Sequence, residues 1–230
     1  MIELVNLTKA FRYKGQPKYI VRDASAVFPS GTSVALMGRN GVGKSTLLQL
    51  IAGTMNPDSG RVRSEGLVSW PIGLAGCIHP ELTGVQNVRF IARVYGVDTD
   101  EMVDFVREFA ELGNNYYQPT RNYSSGQRAR LNFGMSMAIR FDCYLIDEVT
   151  AVGDSSFKAK SAQLFQDRMA NSGAIYVSHS TSAMRQTCTA GIVLEGGKLT
   201  YFDDIEEAID CHERNLLGPS YKRIRLLDPD

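Results

Sequence analysis

The sequence has no excess of either charge and no long apolar run, and these two absences limit what the protein can be. Its 25 Lys and Arg residues balance its 25 Asp and Glu residues, so no net field draws the chain to nucleic acid or to an anionic membrane. No apolar run reaches the roughly 18 to 20 residues that span a bilayer. Any contact with a membrane must therefore come through a partner.

Cysteine is also scarce. The four cysteines, Cys77, Cys143, Cys188 and Cys211, are scattered and form no CxxC pair, which favours structural thiols over a metal or redox site. The N-terminal run MIELVNLTKAF lacks the charged and then apolar layout of a signal peptide. We therefore expect a protein of a reducing, cytosolic compartment, and its 43% hydrophobic content is enough for a globular core.

What the sequence does contain is an α/β pattern interrupted by a helical segment. The β-like runs IELVNLT, ASAVFP and SVALM come first, and the last leads through a glycine-rich loop into the helical pattern STLLQLIAG. Over 85–140 apolar residues recur at helical spacing, which predicts an inserted helical subdomain. The pattern resumes with CYLID, AIYVS and the hairpin-like GIVLEGGKLTYF, which turns at Gly196 and Gly197. The last helix, DIEEAIDCHERNLL, precedes a short tail over 218–230.

The glycine-rich loop matches the phosphate-binding pattern G-x4-G-K-[ST], in the strand-loop-helix context that this motif requires. Glycines let backbone N–H groups surround phosphate oxygens, and the helix N-terminus adds partial positive charge. Lys44 is expected to contact the outer phosphates and the hydroxyl of Ser45 to bind Mg²⁺. The predicted nucleotide-binding residues here are Gly38, Arg39, Asn40, Gly41, Val42, Gly43, Lys44, Ser45 and Thr46. The sequence therefore predicts a protein that binds a nucleoside triphosphate.

An adjacent pair of carboxylates ends the mostly apolar run FDCYLIDE. Such a run is typical of a buried parallel strand that emerges at the ligand edge of a sheet. Asp147 can hold Mg²⁺ there, while Glu148 polarises the attacking water as a general base. Alone, the pair would be typical of a solvated strand end; after a complete phosphate loop, it predicts ATP hydrolysis.

The run YSSGQRARL, from Tyr123 to Leu131, resembles the signature segment of ABC transporter ATPases, whose usual form is Leu-Ser-Gly-Gly-Gln. Ser124, Gly126 and Gln127 match it, whereas Tyr123 and Ser125 differ. The other landmarks of the family follow in the expected order: Phe11 for adenine stacking, the segment AVGD at 151–154 where the family has its D-loop, and His179 as the switch histidine.

This resemblance implies a fold and a set of roles. The fold is α/β, a P-loop NTPase (ABC ATPase) core over 1–217, with an N-terminal antiparallel β subdomain and the helical subdomain inserted. The residues that would contact the γ-phosphate of ATP on the opposite subunit are Ser124, Ser125, Gly126 and Gln127. A head-to-tail homodimer is therefore implied on ATP binding, closed by two-fold symmetry.

The remaining roles concern the nucleotide itself. His179 would sense the γ-phosphate and position the water with Glu148, and Asp154 would cross the dimer interface. Phe11 is the predicted adenine-stacking residue from its spacing after Leu7-Thr8-Lys9, although Tyr13 and Tyr19 lie in the same region and remain alternatives.

Three segments, SWPIGLAGCIHPELTG, YSSGQRARL and DEVTAVGD, resemble the ABC subgroup that exports bacterial surface polysaccharides. The short tail after the last helix favours the capsule type over the O-antigen type, which often carries an additional carbohydrate-binding domain; a teichoic acid exporter is a further alternative. The resemblance implies a peripheral subunit on the cytoplasmic face of the inner membrane, bound to integral-membrane permease subunits, with polysaccharide as an indirect cargo. A soluble ABC ATPase acting on nucleic acid or ribosomes and a non-hydrolysing regulatory module are weaker alternatives, because balanced charge and the presence of Glu148 and His179 oppose them.

The stretch Ser69–Gly84, SWPIGLAGCIHPELTG, departs most from the family. The family usually has a glutamine here that contacts Mg²⁺ and the attacking water, but this stretch contains none. His79 is the best polar substitute. The glycines and prolines suit a hinge, and the apolar residues suit the floor of a groove for a permease helix, although Trp70 and Ile72 could instead be buried.

Overall fold

The computed structural model describes residues 1–72, 78–147 and 155–218, and the chain divides into two compact units. The first unit combines Met1–Pro71, Cys143–Asp147 and Gly173–Asp230, and the second combines Ile72–Asp142 with Glu148–Ser172. The second unit thus interrupts the first twice along the sequence.

The first unit contains a three-stranded antiparallel sheet in the order β2-β1-β4. Its strands are β1 (Ile2–Tyr13), β2 (Gln16–Phe28) and β4 (Ser59–Ser64). Lys14 and Gly15 join the first two strands, both at positive φ (50° and 80°), as a tight two-residue hairpin requires. Both strands are longer than the apolar runs predict, because the hairpin continues into exposed polar and aromatic residues.

The second sheet of this unit has five strands in the order β5-β6-β3-β7-β8. All neighbours are parallel except β7 and β8, which form a hairpin. The strands are β3 (Ser33–Met37), β5 (Cys143–Asp147), β6 (Gly173–Val177), β7 (Ala190–Glu195) and β8 (Lys198–Phe202). Because parallel strands end at the same edge, the loops after β3, β5 and β6 meet there. The hairpin turns at Gly196 and Gly197, as predicted.

Three helices pack on this sheet: α1 (Lys44–Ile51), α6 (Thr181–Thr187) and α7 (Ile205–Leu217). Leu47 and Leu48 of α1 are fully buried in a core that also contains Leu145 and Ile175 of the sheet. Burial of each such side chain contributes about 1.5–3 kcal/mol. Helices α6 and α7 pack on the sheet through a smaller cluster around Met37. The short helix α6 is absent from the sequence-based prediction.

The second unit is helical. Its helices are α2 (Gly84–Tyr95), α3 (Thr99–Ala110), α4 (Ser125–Ala138) and α5 (Ser155–Met169), with short 3-10 turns at Gly113–Tyr117 and Thr120–Asn122. Phe109 of α3 stacks on Phe133 of α4 (centroids 5.8 Å apart) and meets Phe157 of α5 edge-on (5.3 Å). These three rings join three helices in one core.

Trp70 and Ile72, at the start of the unusual stretch, are 6% and 2% exposed. These two residues are therefore core residues, which is the alternative that the sequence left open, and they cannot form the floor of an exposed groove. The residues Gly73 to Cys77 that follow lie outside the described residues.

Candidate nucleotide-binding site

The loop between β3 and α1 has the backbone that phosphate binding requires. Gly43 has φ 120°, and a Cβ there would lie 2.4 Å from Cγ2 of Ile20. A Cβ on Gly38 would lie 2.6 Å from the backbone oxygen of Leu194. Only glycine fits at either position, so the loop is held between β2 and β7 with its backbone close to its neighbours.

Lys44 stabilises this loop from the first turn of α1. Its Nζ donates to the backbone oxygens of Gly38 (2.7 Å) and Arg39 (3.4 Å), and the N–H of Val42 also donates to the Arg39 oxygen (3.1 Å). Gly43 caps α1 without a side-chain hydrogen bond, and the N-terminus of a helix favours an anion. Backbone donors, a helix N-terminus and a lysine fit the phosphates of a nucleotide.

The tip of the β1–β2 hairpin contributes to the same region. Nζ of Lys18 donates to the backbone oxygen of Gly41, 3.3 Å away. Phe11 pairs directly with Lys18 across the hairpin, whereas Tyr19 pairs with Ala10. Directly opposed residues share a face and adjacent residues alternate, so Phe11 lies on the face of Lys18 and Tyr19 on the other. This favours Phe11, which is 43% exposed, over Tyr19 as the adenine-stacking residue. The stacking role of Phe11 stays a prediction.

The other site residues of this unit lie at the same sheet edge. Asp147 ends β5 and pairs with Val177 at the end of β6, and His179 follows two residues later. Ser45 and Thr46 lie in the first turn of α1, with Ser45 exposed. The structure therefore places the phosphate loop, Asp147 and His179 at the same edge of the sheet. The predicted general base Glu148 and the D-loop residue Asp154 lie outside the described residues.

A cavity of about 510 Å³ lies beside the phosphate loop. Its lining comes from the end of β3 and the phosphate loop with Lys44, from the β6–α6 loop with His179 and helix α6, and from α7 with His212, Glu213 and Leu216. The sequence did not predict a contribution from α7, because nothing in its periodicity indicates which element its polar residues face.

Two polar atoms near this cavity stand out. Nδ1 of His212 and Oε2 of Glu195 are buried and have no hydrogen-bond partner within 1–72, 78–147 and 155–218. Burial and the positive charge of Lys44 lower the pKa of His212, and the negative charge of Glu195 partly offsets this. The folded protein therefore disfavours the charged form of this imidazole, close to Lys44.

The signature segment lies in the second unit, at the start of α4. Ser124 caps the helix: its Oγ accepts from the N–H of Gln127 (3.2 Å), and Oε1 of Gln127 accepts from the N–H of Ser124 (3.0 Å). This reciprocal pair is a capping box, which fixes both side chains and leaves Ser125 and Gly126 in the first turn. Gln127 thus has a structural role that explains its match to the family pattern.

His79, the predicted substitute for the missing glutamine, is exposed and held through its backbone. Its N–H donates to Oδ1 of Asn87 (2.8 Å), and its ring Nδ1 accepts from the N–H of Glu81 (3.3 Å). The ring is thus oriented by its own turn. Its role at the attacking water stays a prediction.

A phosphate loop at the end of a central parallel strand, with a carboxylate and a histidine at the neighbouring strand ends, defines a P-loop nucleotide-binding protein. A family model described as "ABC transporter" matches residues 21–151, and the chain belongs to this family. The chain is 46% identical over 213 residues to the "Polysialic acid transport ATP-binding protein KpsT" of Escherichia coli, which covers 91% of this chain and 95% of that protein. It is 43% identical over 213 residues to the "Capsule polysaccharide export ATP-binding protein CtrD" of Neisseria meningitidis serogroup B, covering 92% and 98%.

Among solved structures, the chain is similar to a dimeric ATP-binding cassette in a post-hydrolysis state, bound to ADP and Pi. The TM-score is 0.72 and the identity 21%, and the match covers 89% of this chain and 99% of that one. The predicted ABC ATPase fold is confirmed, and the chain is an ABC-type ATPase, as predicted. Cassettes of this fold bind ATP or ADP and dimerise. In the part of the chain that the structure describes, no helix has the length and apolar character to cross a bilayer.

Proposed function

We propose that this chain is the ATP-hydrolysing subunit that powers export of a capsular-type polysaccharide across the inner membrane, through a separate permease. The observation that carries this proposal is the identity of 46% and 43%, over more than nine-tenths of the chain, to relatives named for polysialic acid transport and capsule polysaccharide export. An O-antigen or teichoic acid exporter has the same chemistry but less support. A soluble, non-transport ABC ATPase is the least supported alternative.

The proposed site residues divide the chemistry among them. Lys44 and the loop N–H groups bind the phosphates of ATP, and Phe11 stacks on the adenine. Ser45 and Asp147 offer oxygen ligands of the kind that Mg²⁺ prefers, and would hold an ion that would supply neutralisation of charge on the phosphates. Glu148 orients and polarises the attacking water, with His179 next to the terminal phosphate.

We infer a homodimer that forms on ATP binding. Ser124, Ser125, Gly126 and Gln127 of one subunit contact the nucleotide of the other, and Asp154 crosses the interface. The N-terminus of α4 supports this role, because its N–H groups suit a terminal phosphate.

The location and partners follow from the same function. The chain works at the cytoplasmic face of the inner membrane, bound to permease subunits, with the polysaccharide as an indirect cargo and no contact with nucleic acid. The domain boundaries that we propose are an ABC ATPase domain over 1–217, its helical subdomain over 85–140, and a short tail over 218–230.

Lys44→Ala tests the proposal. Loss of the ammonium group should lower ATP hydrolysis by about 100-fold or more, measured as phosphate release, and should abolish surface polysaccharide in cells that depend on this chain. Lys198→Ala, on the exposed side of β8, is the matched control and should retain both. Loss of hydrolysis with unchanged surface polysaccharide would mean that this chain does not power that export. Hydrolysis that survives Lys44→Ala would contradict the role of Lys44 at the phosphates.

A further inference from the structure

The end of the unusual stretch, from His79 to Gly84, is bonded to the residues that precede the signature. The backbone oxygen of His79 accepts from Oγ1 of Thr120 (2.9 Å), and the oxygen of Leu82 accepts from the N–H of Thr120 (2.9 Å). The oxygen of Pro80 accepts from the N–H of Arg121 (2.9 Å). Thr120 is buried, so these bonds are shielded from water. The two segments are therefore joined along several residues.

Asn87 of α2 fixes the first of these segments from inside. Its Oδ1 accepts from the N–H of His79 (2.8 Å), and its Nδ2 donates to the backbone oxygens of His79 (3.2 Å), Leu82 (3.2 Å) and Thr83 (3.0 Å). The side chain is 1% exposed. An amide with both ends satisfied in the interior holds its neighbours rigidly, since each lost bond would leave a buried polar group unpaired. The segment His79–Thr83 is therefore tied to α2 by hydrogen bonds.

Tyr123, the first residue of the signature run, lies against Gly84 at the start of α2. Its ring is 3% exposed, and its hydroxyl donates to the backbone oxygen of Asn115 (2.6 Å). A Cβ at Gly84, the first residue of α2, would lie 2.5 Å from that hydroxyl and 2.9 Å from the ring of Tyr116. Gly84 has a helical backbone conformation, so a glycine is needed here for the close approach of Tyr123 and not for an unusual φ angle. The leucine common at this position in the family has no polar atom that could make this contact.

Tyr123 is also tied to the helix that the signature begins. Its backbone oxygen accepts from the guanidinium of Arg128 on α4 (3.1 Å), and the next residue is Ser124, the cap of α4. A tyrosine hydroxyl keeps its proton at neutral pH, and burial raises the pKa of Tyr123 further, to about 12. A displacement of Tyr123 must therefore displace the capping serine.

We propose that Tyr123, packed against Gly84, is a positioning residue that makes the signature serine Ser124 follow the segment His79–Gly84. The segment moves with α2 through Asn87, and α2 contacts Tyr123 through Gly84. Any partner that shifts this segment thereby shifts the signature. This inference rests on the proposed function, in which Ser124 contacts the nucleotide of a second copy of this chain.

The test is ATP-driven dimerisation of the full chain with the slowly hydrolysed analogue AMP-PNP, measured by analytical ultracentrifugation. Tyr123→Phe removes the buried hydroxyl and should weaken dimerisation by about fivefold, the effect of one hydrogen bond. Nucleotide affinity of the monomer should not change, because the phosphate loop belongs to the other unit. Tyr117→Phe, at an exposed tyrosine (55%) of the same unit, is the matched control and should dimerise normally.

Two further variants separate positioning from loss of stability. Val106→Ala, at a fully buried position of α3, should lower the melting temperature at least as much as Tyr123→Phe without weakening the dimer. Gly84→Ala should also weaken dimerisation. The double variant Gly84→Ala, Tyr123→Phe should weaken it by less than the sum of the two single free-energy changes, because the hydroxyl that would clash with the new methyl group is gone. Unchanged dimerisation of Tyr123→Phe, or equal weakening by Val106→Ala, overturns the inference. If Ser124→Arg also leaves dimerisation intact, the signature assignment itself is wrong.

Discussion

At the scale of single residues, His212 has the most unusual environment among the described side chains near the nucleotide site. It lies on α7 and lines the same cavity as Lys44 and His179. Its depressed pKa means that the folded protein resists protonation of this ring, whereas the unfolded chain accepts a proton near pH 6.5. Stability must therefore fall as the pH drops from about 6.5 towards the lower folded-state pKa.

His212→Gln should remove this part of the pH dependence. Between pH 7.5 and about 5.5, the melting temperature of the variant should fall less than that of the unchanged chain. Differential scanning fluorimetry measures this. His79→Gln, the same substitution at an exposed ring, should behave like the unchanged chain. If His212→Gln and the unchanged chain have parallel profiles, the ring does not resist protonation in the folded state.

The candidate site was predictable to the extent that its residues form contiguous motifs. The phosphate loop, Asp147 and His179 follow strands in the sequence, so their meeting at one sheet edge could be expected. Lys18 and His212 could not be found in this way. Lys18 reaches the loop only through the register of the β1–β2 hairpin, and His212 only through the way α7 packs, and neither is encoded in a local pattern.

At the scale of elements, the start of the unusual stretch protects an edge of the central sheet. Strand β5 is the outer strand of the five, and its open side bonds to residues 67–69: Cys143 N–H donates to the oxygen of Leu67 (3.2 Å), and Ser69 N–H donates to the oxygen of Cys143 (3.0 Å). The hydroxyl of Ser69 continues this ladder by accepting from the N–H of Leu145 (2.8 Å). An exposed strand edge invites pairing with other chains, so this cover also limits aggregation.

Ser69→Ala should destabilise the protein by about 1–3 kcal/mol, because it leaves the N–H of Leu145 buried and unpaired. Urea unfolding followed by circular dichroism gives the change. Ser64→Ala, on the exposed edge of β4, is the control and should stay within about 0.5 kcal/mol. A Ser69→Ala variant as stable as the control would mean that water replaces the lost hydroxyl.

The sequence predicted the order of most elements, and its failures have physical causes. Helix α6 has only 7 residues, too few for a periodic signal, and the two 3-10 turns have none. The length of the hairpin is set by the Lys14–Gly15 turn and not by apolar runs. The sequence left open whether Trp70 and Ile72 are exposed or buried, and tertiary packing, which no local pattern encodes, buries them.

At the scale of the whole molecule, the signature and the phosphate loop belong to different compact units. Each unit is internally bonded by its own core, so a change at the signature should leave nucleotide binding by the monomer intact. Assembly of two copies, by contrast, should depend on both the signature and the phosphate loop.

Ser124→Arg tests this separation. The long cation replaces the cap of α4 and, in the proposed dimer, would fill the space of a phosphate of the second copy. ATP-dependent dimerisation should therefore be lost while the monomer still binds ATP. Gln118→Arg adds the same charge at an exposed position of the second unit and should dimerise normally. Sedimentation with and without ATP measures this, and an intact Ser124→Arg dimer would contradict the signature assignment.

The order of the strands has a further consequence for how the chain is made. Strand β3, which leads into the phosphate loop, lies between β6 and β7, and both emerge from the ribosome only after the entire second unit has been synthesised. The helices of that unit contact one another locally and can fold early, whereas β3 must wait for distant partners. Until then a nascent chain exposes both edges of an apolar strand, the condition in which chaperones are most needed. The capacity to bind nucleotide is therefore acquired late in synthesis, after the helical unit has already formed.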